Sequence, residues 1–356
     1  MFRLKLLAFI VLVSLGGTAV AANNSATQLQ DGNNNEVTLD QRGESNKATQ
    51  NQTGDNNRSA VLQDGNANVA ETIQQGFNNS IDLSQTGSGN TASVYQQGGE
   101  YDDQSAIVTQ LGEANTLTLS QDSYHHATLY QEGNNNIYNI EQRDALTGGN
   151  LEARTVGNNN QLTVQQGSAV DAQLFQTGDD NVLVVNQGGG YMPGSVYVSQ
   201  DGDQNAATVN QGGTSRDAAG FTSLSQEGNA NTATIYHGGG SSSTSFAQQG
   251  NNNELSIYQG ARAVRASGHS IGDDNVVDIA QSGDASSADI VQEGGGNLGR
   301  IHQEELAWNS QASIAQIGFS NEAAVSQRWS IASFRADNVA TVMQNGTGNT
   351  ASVIQQ

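Results

Sequence analysis

The chain has 356 residues, with 13 Lys and Arg against 35 Asp and Glu, a formal net charge of -22 and no Cys. Only 5% of its residues are aromatic and 35% hydrophobic, too few large apolar side chains for a thick globular core. The balance excludes nucleic-acid binding, which needs clustered Lys and Arg, and excludes a disulfide-stapled fold.

Arg3 and Lys5 precede an apolar run from Leu6 to Leu15 and a small-residue stretch ending at Ala21, the order of an export signal. The run is short for a membrane span. The reading is a signal peptide over 1–21 and an exported chain over 22–356, with no membrane insertion.

From there a fixed period takes over. Gln30, Gln41, Gln52, Gln63, Gln74, Gln85 and Gln96 stand eleven residues apart. The spacing then widens in places, but the pattern holds phase to Gln355, with Thr155, His237 and Ser270 standing where Gln is expected. Two positions ahead of each Gln, and again four ahead, the residue is apolar: Ile81 and Leu83, Leu117 and Leu119, Val277 and Ile279. The residues between are polar, which is the alternation of a half-buried strand. Gln50, Ser59, Thr72, Thr222, Thr244, Gly268 and Gly299 interrupt the apolar positions.

Gln and Asn share the parity of the apolar pair, so they point inward, where stacking on a copy in the next coil supplies hydrogen-bond partners. This nominates as ladder and polymerisation positions Gln41, Gln63, Asn68, Gln74, Gln85, Asn90, Gln96, Gln110, Asn115, Gln131 and Asn136. Further along it nominates Gln200, Asn205, Gln211, Gln316, Asn321, Gln327, Gln344, Asn349 and Gln355. From Gln85 onward, tight Gly-x-x-Asn corners such as Gly133–Asn136 and Gly250–Asn253 alternate with variable loops at 97–104, 143–149, 188–194, 212–220, 304–310 and 328–337. Gly and Asn suit the positive φ of a sharp corner, and Pro193 falls in a variable loop. Two kinds of corner in alternation mean a coil of two strands. The predicted fold is all-β, a two-sided β-solenoid of about fourteen strand-turn-strand repeats with inward Gln/Asn ladders. Uncapped coils at both ends would recruit further copies and grow a filament.

Other side chains point less clearly to chemistry. His125, His126, His237, His269 and His302 lack ligand-like spacing and read as solvated. The acidic pairs Asp102-Asp103, Asp179-Asp180, Asp273-Asp274 and Glu304-Glu305 sit in turns and read as facing water. No metal site, cofactor or catalytic group is expected. Trp308, Arg328, Trp329 and Arg335 lie in irregular loops and form a candidate patch for lateral contact or for a nucleator. The alternative to loop function is that these aromatics bury locally against the coil edge.

The motif Ser310-Gln316-Gly318-Asn321-Ala323-Gln327, with near copies at Asn79–Gln96 and Asn338–Gln355, resembles the curlin repeat over nearly the whole exported chain. Curlins are subunits of curli, the extracellular amyloid fibres of Gram-negative biofilms. The resemblance implies a self-polymerising fibre subunit, exported through an outer-membrane secretion pore with accessory proteins and assembling with a partner curlin. It implies biofilm and adhesion roles and no enzymatic activity. The chain departs from the best-known curlins in having more repeats, longer variable loops and no Gly-rich segment ahead of its first strand. A soluble, monomeric β-helical adhesin or carbohydrate-binding protein is the competing expectation.

Overall fold

Alternation in sequence becomes backbone geometry in the computed structural model, which describes residues 23–99, 103–122, 124–143, 148–167, 169–188, 192–212, 218–304, 308–328 and 338–355. The signal-peptide reading over 1–21 lies outside them. The chain divides into two compact units, residues 1–159 and 160–356.

The first unit holds β1 (Ser25–Asp31), β2 (Glu36–Arg42), β3 (Lys47–Asp55), β4 (Arg58–Asn66), β5 (Val69–Phe77) and β6 (Ser80–Ser88). It continues with β7 (Thr91–Gln97), β8 (Ser105–Glu113), β9 (Thr116–Asp122), β10 (His126–Asn134), β11 (Ile137–Gln142) and β12 (Asn150–Val156). Odd strands pair in parallel with odd strands and even with even, as in β1 on β3 and β2 on β4. Each successive pair of strands is therefore one coil, and a coil stacks on the next in register.

The second unit repeats the arrangement with β13 (Gln161–Gln166), β14 (Val170–Thr177), β15 (Val182–Gln187), β16 (Met192–Asp201), β17 (Ala206–Gln211) and β18 (Ala218–Glu227). Then come β19 (Thr232–His237), β20 (Ser243–Gln249), β21 (Glu254–Gln259), β22 (Arg265–Ile271), β23 (Val276–Gln281) and β24 (Ser287–Gly295). It ends with β25 (Leu298–Gln303), β26 (Gln311–Phe319), β27 (Glu322–Gln327), β28 (Val339–Thr347) and β29 (Thr350–Gln355). Again odd pairs with odd, as in β19 on β21, and even with even, as in β24 on β26. Each unit is a two-sided parallel β-solenoid, and among the described residues no helix is long and apolar enough to cross a membrane.

Parity decides what each coil buries. Ile81 and Leu83 of β6 and Ala92 and Val94 of β7 are buried, with the residues between them facing out. Two aliphatic pairs per coil make a thin core, each Leu, Ile or Val contributing about 1.5–3 kcal/mol. Insertions leave the register intact. Gln85 meets Gln110, 25 residues on, and Gln316 meets Gln344, 28 residues on, as cleanly as partners 22 apart.

Two expectations need adjustment. β16 and β18 begin at Met192 and Ala218, inside stretches the sequence assigned to loops. Their pairing sets Met192 opposite Ala218 and Gly194 opposite Gly220, stepping over Pro193, which has no N–H to give a ladder. The corners also use positive φ at residues other than Gly and Asn: Ala67, Ala114, Ala230 and Asp274 all adopt it. Stacking, and not local preference, imposes the left-handed turn there.

Candidate functional site

The amide columns inside the coils are the most ordered polar feature of both units. Each ladder Gln lies in the C-terminal half of its strand and uses its two N–H groups differently. One donates to the Gln Oε1 of the next coil: Gln63 to Gln85 at 2.9 Å, Gln85 to Gln110 at 2.8 Å and Gln110 to Gln131 at 2.8 Å. Gln41 begins this column by donating to Gln63, while Gln74 donates to Gln96 in the opposite sheet. The other N–H crosses to the preceding strand of the same coil, as from Gln63 to the Lys47 carbonyl at 3.1 Å. The amide thus ties coil to coil and sheet to sheet. In the second unit Gln200 donates to Gln226, Gln316 to Gln344 and Gln327 to Gln355. All these ladder bonds run toward the C-terminus, so each column has a direction.

The Asn columns stand six residues ahead of the Gln columns. Asn90 donates its backbone N–H to Asn68 Oδ1 in the previous coil and its Nδ2 to the Gly112 carbonyl in the next. Asn115 and Asn136 repeat the pattern in the first unit and Asn205 and Asn321 in the second, while Asn349 gives both its backbone N–H and its Nδ2 to Asn321 Oδ1. Every corner that leads from an even to an odd strand carries this Asn, from Asn46 to Asn136 and from Asn181 to Asn349. Its Gly is equally constrained. Gly250 has φ +118°, and a Cβ there would collide with the carbonyl oxygen of Gly272 in the next coil.

A third column had no signal in the sequence beyond the turn itself. The residue after the corner Gly accepts from the backbone of the coil before it: Asp203 Oδ1 from Asp179 N at 2.8 Å and Asp273 Oδ1 from Asn251 N at 2.8 Å, and at an opposite corner Asp55 Oδ1 does the same for Asn33 N at 2.7 Å. Asp179 and Asp273, read as merely facing water, belong to this column. Nearer the first coils the core itself is polar. Gln28 donates to Gln50 at 3.0 Å, Gln50 to Ser59 Oγ at 3.0 Å, and Ser59 meets Thr72 Oγ1 at 2.9 Å.

The ladders break where Gln is replaced. Thr155 accepts from the buried Tyr138 hydroxyl at 2.9 Å, and burial pushes that phenol's pKa up. Ser270 donates to Gln292 Oε1 at 3.1 Å. His237 turns sideways to Thr244 Oγ1 at 2.9 Å, and its Nδ1 is buried without a partner. Burial pushes its pKa down to about 4.

The expectation of solvated histidines fails at two positions. His125 and His237 are fully buried. His125 occupies the Asn-equivalent place ahead of β10, its Nδ1 accepting from the Gly149 N–H at 3.0 Å, and burial lowers its pKa. His269 and His302 do lie at the surface, His302 beside Asp278 at 3.3 Å. His126 Nδ1 sits 2.8 Å from Ser105 Oγ on the neighbouring strand. Among the described residues no three His, Cys, Asp or Glu gather as a metal site.

The aromatic patch is seen only in part. Trp308 is 46% exposed, and Arg328 pairs with Glu304 at 3.0 Å. Trp329 and Arg335 lie outside the described residues.

Two adjacent stretches, residues 32–65 and 65–98, each match the family model of the curlin-associated repeat. Those two stretches are similar to the curlin-associated repeat. No curated protein matches it significantly. The matched curlin repeats end where the geometry changes. Up to residue 98 both corners of a coil read Gly-x-x-Asn, as at Gly54–Asn57 and Gly65–Asn68, and after it only one of them does. The Gln and Asn columns continue past that point through the same bonds.

Proposed function

We propose that this chain is a structural subunit of extracellular curli-like amyloid fibres, polymerising end to end to build biofilm matrix and mediate adhesion. The polarity of the Gln columns carries the reading. In the first coil Gln30 and Gln41 give their N–H groups forward to Gln52 and Gln63, so their Oε1 atoms are left for a donor on the other side. In the last coil Gln344 and Gln355 accept from Gln316 and Gln327 and donate to the Glu322 and Val339 carbonyls, each with a second N–H for a further rung. Among the described residues β1, β2, β28 and β29 each pair on one side alone. Acceptors at one face and donors at the other suit a second copy of the chain, and open parallel edges template such addition.

On this reading residues 1–21 are removed on export, and 22–356 form the fibre-building chain. An outer-membrane pore, accessory proteins and a partner curlin serve its secretion and nucleation, and the net charge of -22 keeps the unassembled chain soluble. Trp308, Arg328, Trp329 and Arg335 serve lateral or nucleator contact. Purified chain 22–356 held at neutral pH is expected to yield dye-binding filaments with a meridional reflection near ~4.8 Å. A monodisperse monomer persisting for days would overturn the proposal in favour of a soluble adhesin.

A further inference from the structure

Register brings two tyrosines of the second unit together. Tyr236 of β19 and Tyr258 of β21 are direct partners across the parallel pair, one residue ahead of the ladder position and therefore on the outer face. Their rings are parallel within 4°, with centroids 5.1 Å apart. They are 41% and 48% exposed, open to a solvent-borne reagent. Two residues beyond each tyrosine stands a Gly, and the ring lies over it. A Cβ on Gly238 would come within 2.8 Å of Tyr236 Cε1, and one on Gly260 within 2.9 Å of Tyr258 Cε1. The two glycines seat both rings in the same pose.

No other pair of described tyrosines is placed this way. Tyr95 is flanked by Ile73 and Ser120, Tyr130 by Thr109 and Arg154, and Tyr197 by Gln173 and Ser223. Tyr138 is buried. The location also matters. β19 ends at His237, where the Gln column is interrupted, so the Gln–Gln bond that Gln259 makes to Gln281 has no counterpart between these two strands.

We propose that Tyr236 and Tyr258 form an oxidative cross-linking site, at which a haem peroxidase using hydrogen peroxide joins adjacent coils through a dityrosine bond. Each phenol gives up one electron and one proton. The two phenoxyl radicals form a carbon–carbon bond between ring positions ortho to the oxygens. The hydrogens on those carbons move to the oxygens and restore both phenols. Hydrogen peroxide takes up the two electrons and two protons, its O–O bond breaks, and it leaves as two waters. Strands about 4.8 Å apart keep the ring carbons within reach once the exposed side chains rotate. The new bond closes a loop within the chain and so restricts the unfolded state more than the folded one.

The test treats dilute full-length chain with a haem peroxidase and hydrogen peroxide, then reads dityrosine fluorescence and maps the joined peptides by mass spectrometry. One dominant cross-link, Tyr236 to Tyr258, is expected, with a yield per chain that does not change on dilution. It is lost in Tyr236→Phe and in Tyr258→Phe, which keep the rings, and retained in Tyr95→Phe. The cross-linked chain should unfold at higher denaturant than untreated chain. Cross-links spread over other tyrosines, a yield that falls with dilution, or an undiminished yield in Tyr258→Phe would overturn the proposal.

Discussion

Each coil has two corners, and they obey different rules. The corner leading from even to odd strands is the same throughout: Gly, two residues, then an inward Asn. The opposite corner begins alike, with Asn35, Asn57 and Asn79, then carries Gln104, His125 and Gly149 in the first unit and Ser242, Val264, Ser286 and Ser310 in the second. Both corners turn through positive φ just before that column, at Asn252 and Asp274 on one side and at Ser241 and Ala263 on the other. What differs is the bonding. The Asn of the uniform corner joins three consecutive coils. The residue on the variable side does not have to, which leaves that side free to accept insertions such as 97–104 and 143–149. Within each unit an amide seam is enough to fix the register, and the variable corner is where sequence can change without losing it.

The corner Gly of the uniform side tolerates least. Gly250→Ala places a Cβ against the Gly272 carbonyl at a φ that side chains avoid. A loss of about 3 kcal/mol or more is expected. Gly212→Ala at the variable corner puts its Cβ 3.2 Å from the His237 carbonyl oxygen and has no positive φ to oppose it. Its cost should stay below about 1 kcal/mol. Denaturant midpoints of the two variants check this, and equal losses would remove the distinction.

Removing an Asn is the next largest effect. Asn253 donates to Asn231 and to the Gly272 carbonyl, and it accepts from Asn275. Asn253→Ala strips a buried network of several partners and should cost about 2–4 kcal/mol. Ser286→Ala on the other side should cost less than about 1 kcal/mol. Chemical denaturation followed by circular dichroism reads both.

His237 gives a smaller effect with a characteristic pH signature. In the unfolded chain it takes a proton near 6.5, and in the folded chain only near 4. Between those values the unfolded chain binds more protons. Stability from this group is therefore complete above about pH 6.5 and is lost as the pH falls toward 4, a loss on the order of 3 kcal/mol. His125, also lowered by burial, acts in the same direction. His237→Gln restores the column between Gln211 and Gln259. It should add about 1 kcal/mol at neutral pH and flatten the acid limb of a stability–pH profile. An unchanged acid limb would show that His237 is not the group responsible.

Much of this was legible before any coordinates. Gln spacing and two-residue alternation fix strand, face and register together, because a slip of one residue would turn Leu83 and Gln85 outward. The buried histidines were harder. His237 could be placed by its Gln-equivalent position, but its burial follows only once that position is taken as inward. His125 stands six residues before Gln131, the offset that Asn79 keeps from Gln85, yet Gln121 and Gln131 are ten residues apart and not eleven, which hides the count. The left-handed Ala67, Ala114 and Ala230 were not legible at all, since their intrinsic preference opposes the conformation that stacking imposes. The acceptor role of Asp55, Asp203 and Asp273 depends on a neighbour 22 to 24 residues away, which a turn motif read alone does not reveal.

The most direct test of the amide seam is residue-resolved hydrogen exchange on the folded chain. The backbone N–H groups of Asn231, Asn253 and Asn275 each donate to an Asn Oδ1 of the preceding coil. They should exchange as slowly as the amides of the strand interiors, while those of Ser242 and Val264 exchange faster. Equal rates at the two corners, or faster exchange at the Asn corner, would contradict the claim that one seam holds the coils in register.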